Sequence, residues 1–166
     1  MSKLTIMSGL PASGKSTKAK ELIETRGNTV RINKDLLRTM LHFDKFNGVN
    51  EALTQEASTQ LASYFLDKNV NVIIDDTNLN PKVMNYWKEF GKTKGFKVEY
   101  CDLDTPVEEC LIRNIYREKK VPSDVIVRMA LQYKELGKGK KAIICDVDGT
   151  IADITHRLKY ASGPVS

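Results

Sequence analysis

At 166 residues with 41% hydrophobic residues, the chain can bury one respectable core, which argues against two complete domains. A formal net charge of +5, from 26 basic against 21 acidic residues, makes a mixed surface that favours an anionic partner, nucleotide or nucleic acid, without choosing between them. Three cysteines, Cys101, Cys110 and Cys145, are an odd number without close metal-type spacing, so they argue against a disulfide framework and read as small buried hydrophobes in a reducing cytosol.

The opening MSKLTIMSGLP holds no apolar run of signal-peptide length and no later segment approaches transmembrane length, which predicts a cytoplasmic chain with no membrane partner. Short apolar runs then alternate with longer amphipathic stretches, the pattern of an α/β chain whose parallel sheet carries helices on its faces. Strands are predicted at Leu4 to Ser8, Thr29 to Asn33, Val70 to Asp75, Phe96 to Leu103 and Ala142 to Asp146. Helices are predicted from Lys15 to Arg26, Lys34 to His42, Asn50 to Asp67, Pro81 to Lys94, Pro106 to about Glu118, and Pro122 to Leu136. Pro81 and Pro106 suit first-turn positions, where a missing N–H costs nothing. The least periodic stretch, His42 to Asn50, is expected to be a mobile loop. Residues 1–137 make one domain, the glycine- and lysine-rich 138–141 a linker, and 142–166 the beginning of something else.

Gly9-Leu10-Pro11-Ala12-Ser13-Gly14-Lys15-Ser16, followed by Thr17, matches G-x-x-x-x-G-K-[ST] between a strand and a helix. Glycines let such a loop curl so that backbone N–H groups face a phosphate, and the helix N-terminus adds its positive dipole end. Lys15 is placed to reach the β- and γ-phosphates of ATP, and the Ser16 hydroxyl to ligate Mg²⁺.

A phosphate loop alone does not separate a kinase from a GTPase or a motor. In Arg31-Ile32-Asn33-Lys34-Asp35-Leu36-Leu37-Arg38, Asp35 falls just beyond the carboxyl end of the second strand, on the edge where open α/β sheets bind ligands. Arg38, three residues on, shares its helix face. A carboxylate there can accept the proton of an attacking hydroxyl, and an arginine beside it can bind an anionic group on the acceptor. The third strand ends in Asp75-Asp76-Thr77-Asn78 at the same edge. Either acid could act through metal-bound water or hold the acceptor-binding arginine, and a helix cap is an equal reading. Spacing of four puts Arg113 and Arg117 on one helix face, able to close over a nucleotide, with Arg117 in the place of an arginine finger.

Taken in order, GLPASGKS, RINKDLLR, DDTNLNP, RNIYREKKVP and ICDVDGT resemble the kinase domain of the phage polynucleotide kinase-phosphatase family across nearly the whole chain. The resemblance implies an adenylate-kinase-like P-loop NTPase fold with an arginine-bearing lid. It implies transfer of the γ-phosphate of ATP, with Mg²⁺, to the 5′-hydroxyl of DNA or RNA. It implies Asp35 as general base, Arg38 as ligand of the acceptor's 3′-phosphate, Asp76 rather than Asp75 as the support of the acceptor site, and Arg113 and Arg117 as lid residues over ATP. Lys34, His42, Phe43, Lys45 and Phe46 are candidates for an acceptor channel by proximity only. D-x-D-G-T at Asp146 to Thr150 looks like the first motif of haloacid-dehalogenase-type phosphatases, implying Asp146 as nucleophile and Asp148 as acid and base. The residues after Thr150 are too few for such a domain, so no phosphatase activity is expected from this chain, and a longer parent could be oligomeric. Two rival readings remain, a small-molecule P-loop kinase and a non-catalytic nucleotide-dependent switch or RNA-binding module.

Overall fold

The computed structural model of the protein describes residues 2–133. The expected linker at 138–141, the strand at Ala142 to Asp146, and Asp146, Asp148 and Cys145 lie outside the described residues. In chain order the elements are β1 (Lys3–Ser8), α1 (Lys15–Arg26), β2 (Thr29–Ile32), α2 (Lys34–His42), α3 (Gly48–Asp67), β3 (Asn71–Asp75), α4 (Pro81–Lys94), β4 (Lys97–Asp102), α5 (Val107–Ile115) and α6 (Ser123–Tyr133). The four strands are parallel in the order β2-β3-β1-β4. Met7 pairs with Asp75 and Ser8 with Asp102, so the phosphate loop, the β3 acids and the β4–α5 turn open on one edge.

Side chains alternate across the sheet and fill two layers. Leu4, Ile6, Ile32, Val72 and Ile74 pack against Leu37, Ala62, Leu66 and Trp87 of α2, α3 and α4. Met7 and Ile73 pack against Ala19, Leu22 and Ile23 of α1. Trp87 is fully buried, and truncating such a ring to alanine costs about 3–5 kcal/mol. A third cluster, Leu10 with Val107, Cys110, Ile126 and Ala130, ties the phosphate loop to α5 and α6. Cys110 is buried and Cys101 half-buried, as small hydrophobes are. No helix among the described residues is long and apolar enough to cross a membrane.

Asparagine caps set several boundaries. The Asn33 side chain accepts from Leu36 N at 3.0 Å, which ends β2 at Ile32, and Asn80 accepts from Lys82 N at 2.9 Å ahead of α4. Asn47 accepts from Asn50 N at 2.9 Å, so α3 begins at Gly48 and the stretch expected as a long loop shrinks to residues 43–47. One expectation needs correcting: α5 ends at Ile115, so Arg113 and Arg117 do not share a helix face. The physical reason is Asn114, buried, whose side chain donates to Val121 O at 2.7 Å and accepts from Val121 N at 3.0 Å, folding residues 116–121 back as a loop.

Candidate active site

The phosphate loop leaves β1 at Gly9, whose φ of +146 is closed to other residues; an added Cβ would lie 2.7 Å from Ser13 Oγ and 2.9 Å from Leu103 O. Gly14 turns the loop into α1 at φ +97, and Ala12 also takes a positive φ of 63, so the curl is not confined to glycines. The loop is braced by the segments that follow β3 and β4 and by α5. Gly9 N donates to Thr77 O at 3.0 Å, while Thr105 Oγ1 and Arg113 donate to Ser13 O at 2.9 and 3.3 Å. Lys15 is buried and folds back over the loop, its Nζ donating to Gly9 O at 2.9 Å, Leu10 O at 2.6 Å and Ser13 Oγ at 3.3 Å. Burial brings its ammonium down to about 8.

The two acids at the end of β3 point to opposite faces. Asp75, 1% exposed, shares the α1 face with Ile73: its Oδ2 accepts from Ser16 Oγ at 2.9 Å and from Arg31 Nε at 2.6 Å, and Arg31 also reaches Ser16 Oγ at 3.3 Å. Asp76 faces α2, where its Oδ1 accepts the backbone N–H of Lys34 at 2.9 Å and the Lys34 ammonium stands 3.9 Å from Oδ2. Burial pushes the Asp76 carboxyl up to about 6, against the pull of Lys34. Asp75 therefore belongs to the phosphate-loop side and Asp76 to the side that carries Asp35.

On α2, Arg38 donates from NH1 to Asp35 Oδ1 at 2.7 Å. Its Nε and NH2 grip Glu51 of α3, the NH2 bond at 2.9 Å, and its guanidinium lies 5.2 Å from the centre of the Phe46 ring. Hydrogen bonding to Glu51, before any other cause, raises the pKa of Arg38 above its ordinary value. The Asp35 side chain is 76% exposed, open to an incoming group.

These residues surround a cleft of about 1000 Å³. Pro11 to Thr17, Asp35, Arg38, Asp75, Asp76, Arg113 and Arg117 line it. Gly9 and Leu10 do not; Leu10 is a core residue, and both serve the loop through carbonyls that hold Lys15. Of the residues named for an acceptor channel, Lys34 and Phe46 line the cleft, whereas His42, Phe43 and Lys45 lie off it. The lid loop that carries Arg117 reaches the α2–α3 corner, where Lys119 donates to Asp44 at 2.7 Å.

Sequence reading missed Glu51 and Arg31. Arg31 stands in a predicted strand and Glu51 in a predicted helix, and only tertiary folding brings Glu51 to Arg38 across the corner or Arg31 up the α1 face to Asp75. For Mg²⁺ and ATP the donor set fits: Asp75 Oδ1 is buried with no hydrogen-bond partner beside the Ser16 hydroxyl, and Gly9 and Gly14 curl the loop at positive φ.

Residues 4–136 match a protein family described as AAA domain. The chain belongs to that family. The chain is 26% identical to a protein named bifunctional polynucleotide kinase/RNA ligase of Autographa californica nuclear polyhedrosis virus, over 95% of this chain and 26% of that protein. It is 29% identical to the L-seryl-tRNA(Sec) kinase of Methanococcus maripaludis, over 95% of this chain and 61% of that one. Among solved structures, a chain of the Pnkp1/Rnl/Hen1 RNA repair complex superposes with TM-score 0.72 at 29% identity, covering 90% of this chain and 50% of its own length. The APS kinase CysC of Mycobacterium tuberculosis, solved with AMPPNP and APS, shares the fold at TM-score 0.58 and 22% identity over 69% of each chain. This AAA-family domain is thus a P-loop kinase fold, and the resemblance to polynucleotide kinases drawn from its motifs is borne out. The chain spans only 26% and 61% of the two curated relatives' own length.

Proposed function

We propose that this domain is a polynucleotide 5′-hydroxyl kinase, passing the γ-phosphoryl group of ATP to the 5′-OH end of a DNA or RNA strand in nucleic-acid end repair. The observation that carries the reading is the pairing of Asp35 with Arg38 in the same cleft that Lys15 and Arg117 line. A base and an anion ligand side by side suit an acceptor that brings a hydroxyl and a phosphate together, as a 5′-terminal nucleotide does.

In this reading the loop N–H groups and Lys15 hold the β- and γ-phosphates, Ser16 ligates Mg²⁺, and Asp75 accepts from the Ser16 hydroxyl and orients it. Mg²⁺ held there by Ser16 would supply neutralisation of the phosphate charge. Asp35 takes the proton of the 5′-hydroxyl as its oxygen bonds to the γ-phosphorus and the bond to the β-phosphate oxygen breaks, leaving ADP. Arg38, held by Glu51, keeps N–H groups free on both terminal nitrogens for the acceptor's 3′-phosphate. Asp76 fixes the first turn of α2 so that Asp35 faces the cleft. Arg117 lies over the transferring phosphates, where positive charge lowers the barrier.

The names of the baculovirus relative and the RNA repair complex support a nucleic-acid acceptor. The test is to incubate the chain with γ-labelled ATP, Mg²⁺ and a panel of 5′-OH oligonucleotides, nucleoside 3′-monophosphates and small metabolites. Label on the nucleic-acid 5′ ends is expected, and label on a metabolite alone overturns the reading. The Asp35→Asn protein is expected to bind ATP as the parent does and to transfer nothing.

A further inference from the structure

From the surroundings of Phe46 we infer that its ring is a stacking seat for a nucleobase of the acceptor strand; this rests on the polynucleotide reading and deepens it. Phe46 is 74% exposed, so packing in the core does not account for it, yet it lines the same cleft as Asp35 and Arg38. One side of the ring is taken by the Arg38 guanidinium, 5.2 Å from its centre. That guanidinium is clamped by Glu51 and Asp35, so the ring rests on a fixed cation while the rest of it stays open to solvent. A planar π-surface backed by a locked cation, beside the group that meets the acceptor's 3′-phosphate, has the composition of a single-strand binding seat: backbone charge and an aromatic face for the adjoining base. Lys34, on the same cleft wall, adds positive charge for the phosphate backbone.

Phe43 supplies the contrast. It is 86% exposed and close in sequence, but it does not line the cleft. The ring of Phe46 is therefore the one placed to read whether the nucleotide flanking the phosphate carries a base. The seat accepts any base, because every base has a π-face, and it distinguishes a polynucleotide end from a sugar or phosphate acceptor that has none.

Steady-state transfer from ATP to a 5′-OH oligonucleotide, and to the same strand with an abasic site at its first or second nucleotide, tests this in the parent, Phe46→Ala, Phe46→Trp and Phe43→Ala proteins. The expected result is a rise in acceptor KM of about tenfold for Phe46→Ala, with kcat and the ATP KM within about twofold, recovery in Phe46→Trp, and no change in Phe43→Ala. The parent is expected to lose a similar factor on one of the abasic strands, and Phe46→Ala to lose little more on that strand. As a readout independent of turnover, 2-aminopurine at the affected nucleotide is quenched on binding to the parent and not to Phe46→Ala. Equal KM values for parent and Phe46→Ala on the intact strand overturn the seat and leave the kinase reading standing. Absence of label from every oligonucleotide overturns both.

Discussion

Asp76 Oδ1 accepts the backbone N–H of Lys34 at 2.9 Å, so the end of β3 fixes the first turn of the helix that presents Asp35. Burial holds this carboxyl at about 6, above its ordinary 3.8, which means the folded protein keeps a proton on Asp76 that the unfolded chain has already lost. Stability from this group is accordingly present at low pH and is lost as pH rises through about 6. Asp76→Asn keeps the acceptor oxygen and removes the charge. It is expected to be more stable than the parent at pH 8, by on the order of 2 kcal/mol, with the difference vanishing near pH 4. Transfer activity should nonetheless fall at least about tenfold, because the charge facing Lys34 and Asp35 is gone. Urea unfolding at the two pH values checks this; a variant less stable than the parent at pH 8 contradicts it.

Lys15 carries the opposite shift. With its ammonium at about 8 in the nucleotide-free protein, phosphates arriving in the loop draw the proton back. Binding of ADP at pH 8 should take up about half a proton, and at pH 6.5 almost none. Calorimetry in two buffers of different ionisation enthalpy measures the uptake, which Lys15→Met should abolish along with at least about a hundredfold of transfer rate.

Glu51 grips Arg38 through Nε and NH2 from across the α2–α3 corner. In Glu51→Ala, Arg38 keeps only its ion pair with Asp35 and should collapse onto that carboxylate. The acceptor KM is expected to rise about tenfold and kcat to fall, while the ATP KM stays put. A change confined to ATP would show that Arg38 serves the other side of the cleft.

Asn114 closes both the N–H and the carbonyl of Val121 from a buried position. Asn114→Ala leaves those backbone groups to find new partners and should cost about 1–3 kcal/mol. Residues 116–121 should become the first site of limited proteolysis, and kcat should drop through misplacement of Arg117. Cleavage elsewhere first would place the weakest segment of the domain outside this loop.

Much of the fold is legible in the sequence because its signals are local. The phosphate-loop motif and Pro81 start α1 and α4 where the spacing predicts. Asn47 and Asn50 are both plausible caps, and only Asn47 accepts a backbone N–H, so α3 starts two residues earlier than its periodicity suggests. The lid departs from expectation for the same kind of reason. A continuous helix through Arg117 fits the side-chain spacing, but the bonds from Asn114 to Val121 win, and they join residues whose partnership no periodicity reveals. In the site, Asp35, Arg38 and the phosphate loop are legible because each stands at a strand end or within a motif. Glu51 and Arg31 are not, since their partners lie on other elements, across the corner for Glu51 and on the neighbouring strand for Arg31.

Asp75 and Asp76 are neighbours in the chain, yet one serves Ser16 and the other Lys34, solely because a strand shows successive side chains to opposite faces. β3 is flanked by β1 and β2, paired with Val72 through Leu4 on one side and Val30 on the other. Conservative apolar exchanges at Val72, Ile73 and Ile74 should be tolerated, whereas deleting any one of them brings Asp76 to the place of Asp75 beside Ser16 and leaves Thr77 where Asp76 held Lys34. The pair acts as a parity check on the length of β3: natural variation in this strand can run through its letters but not through its count.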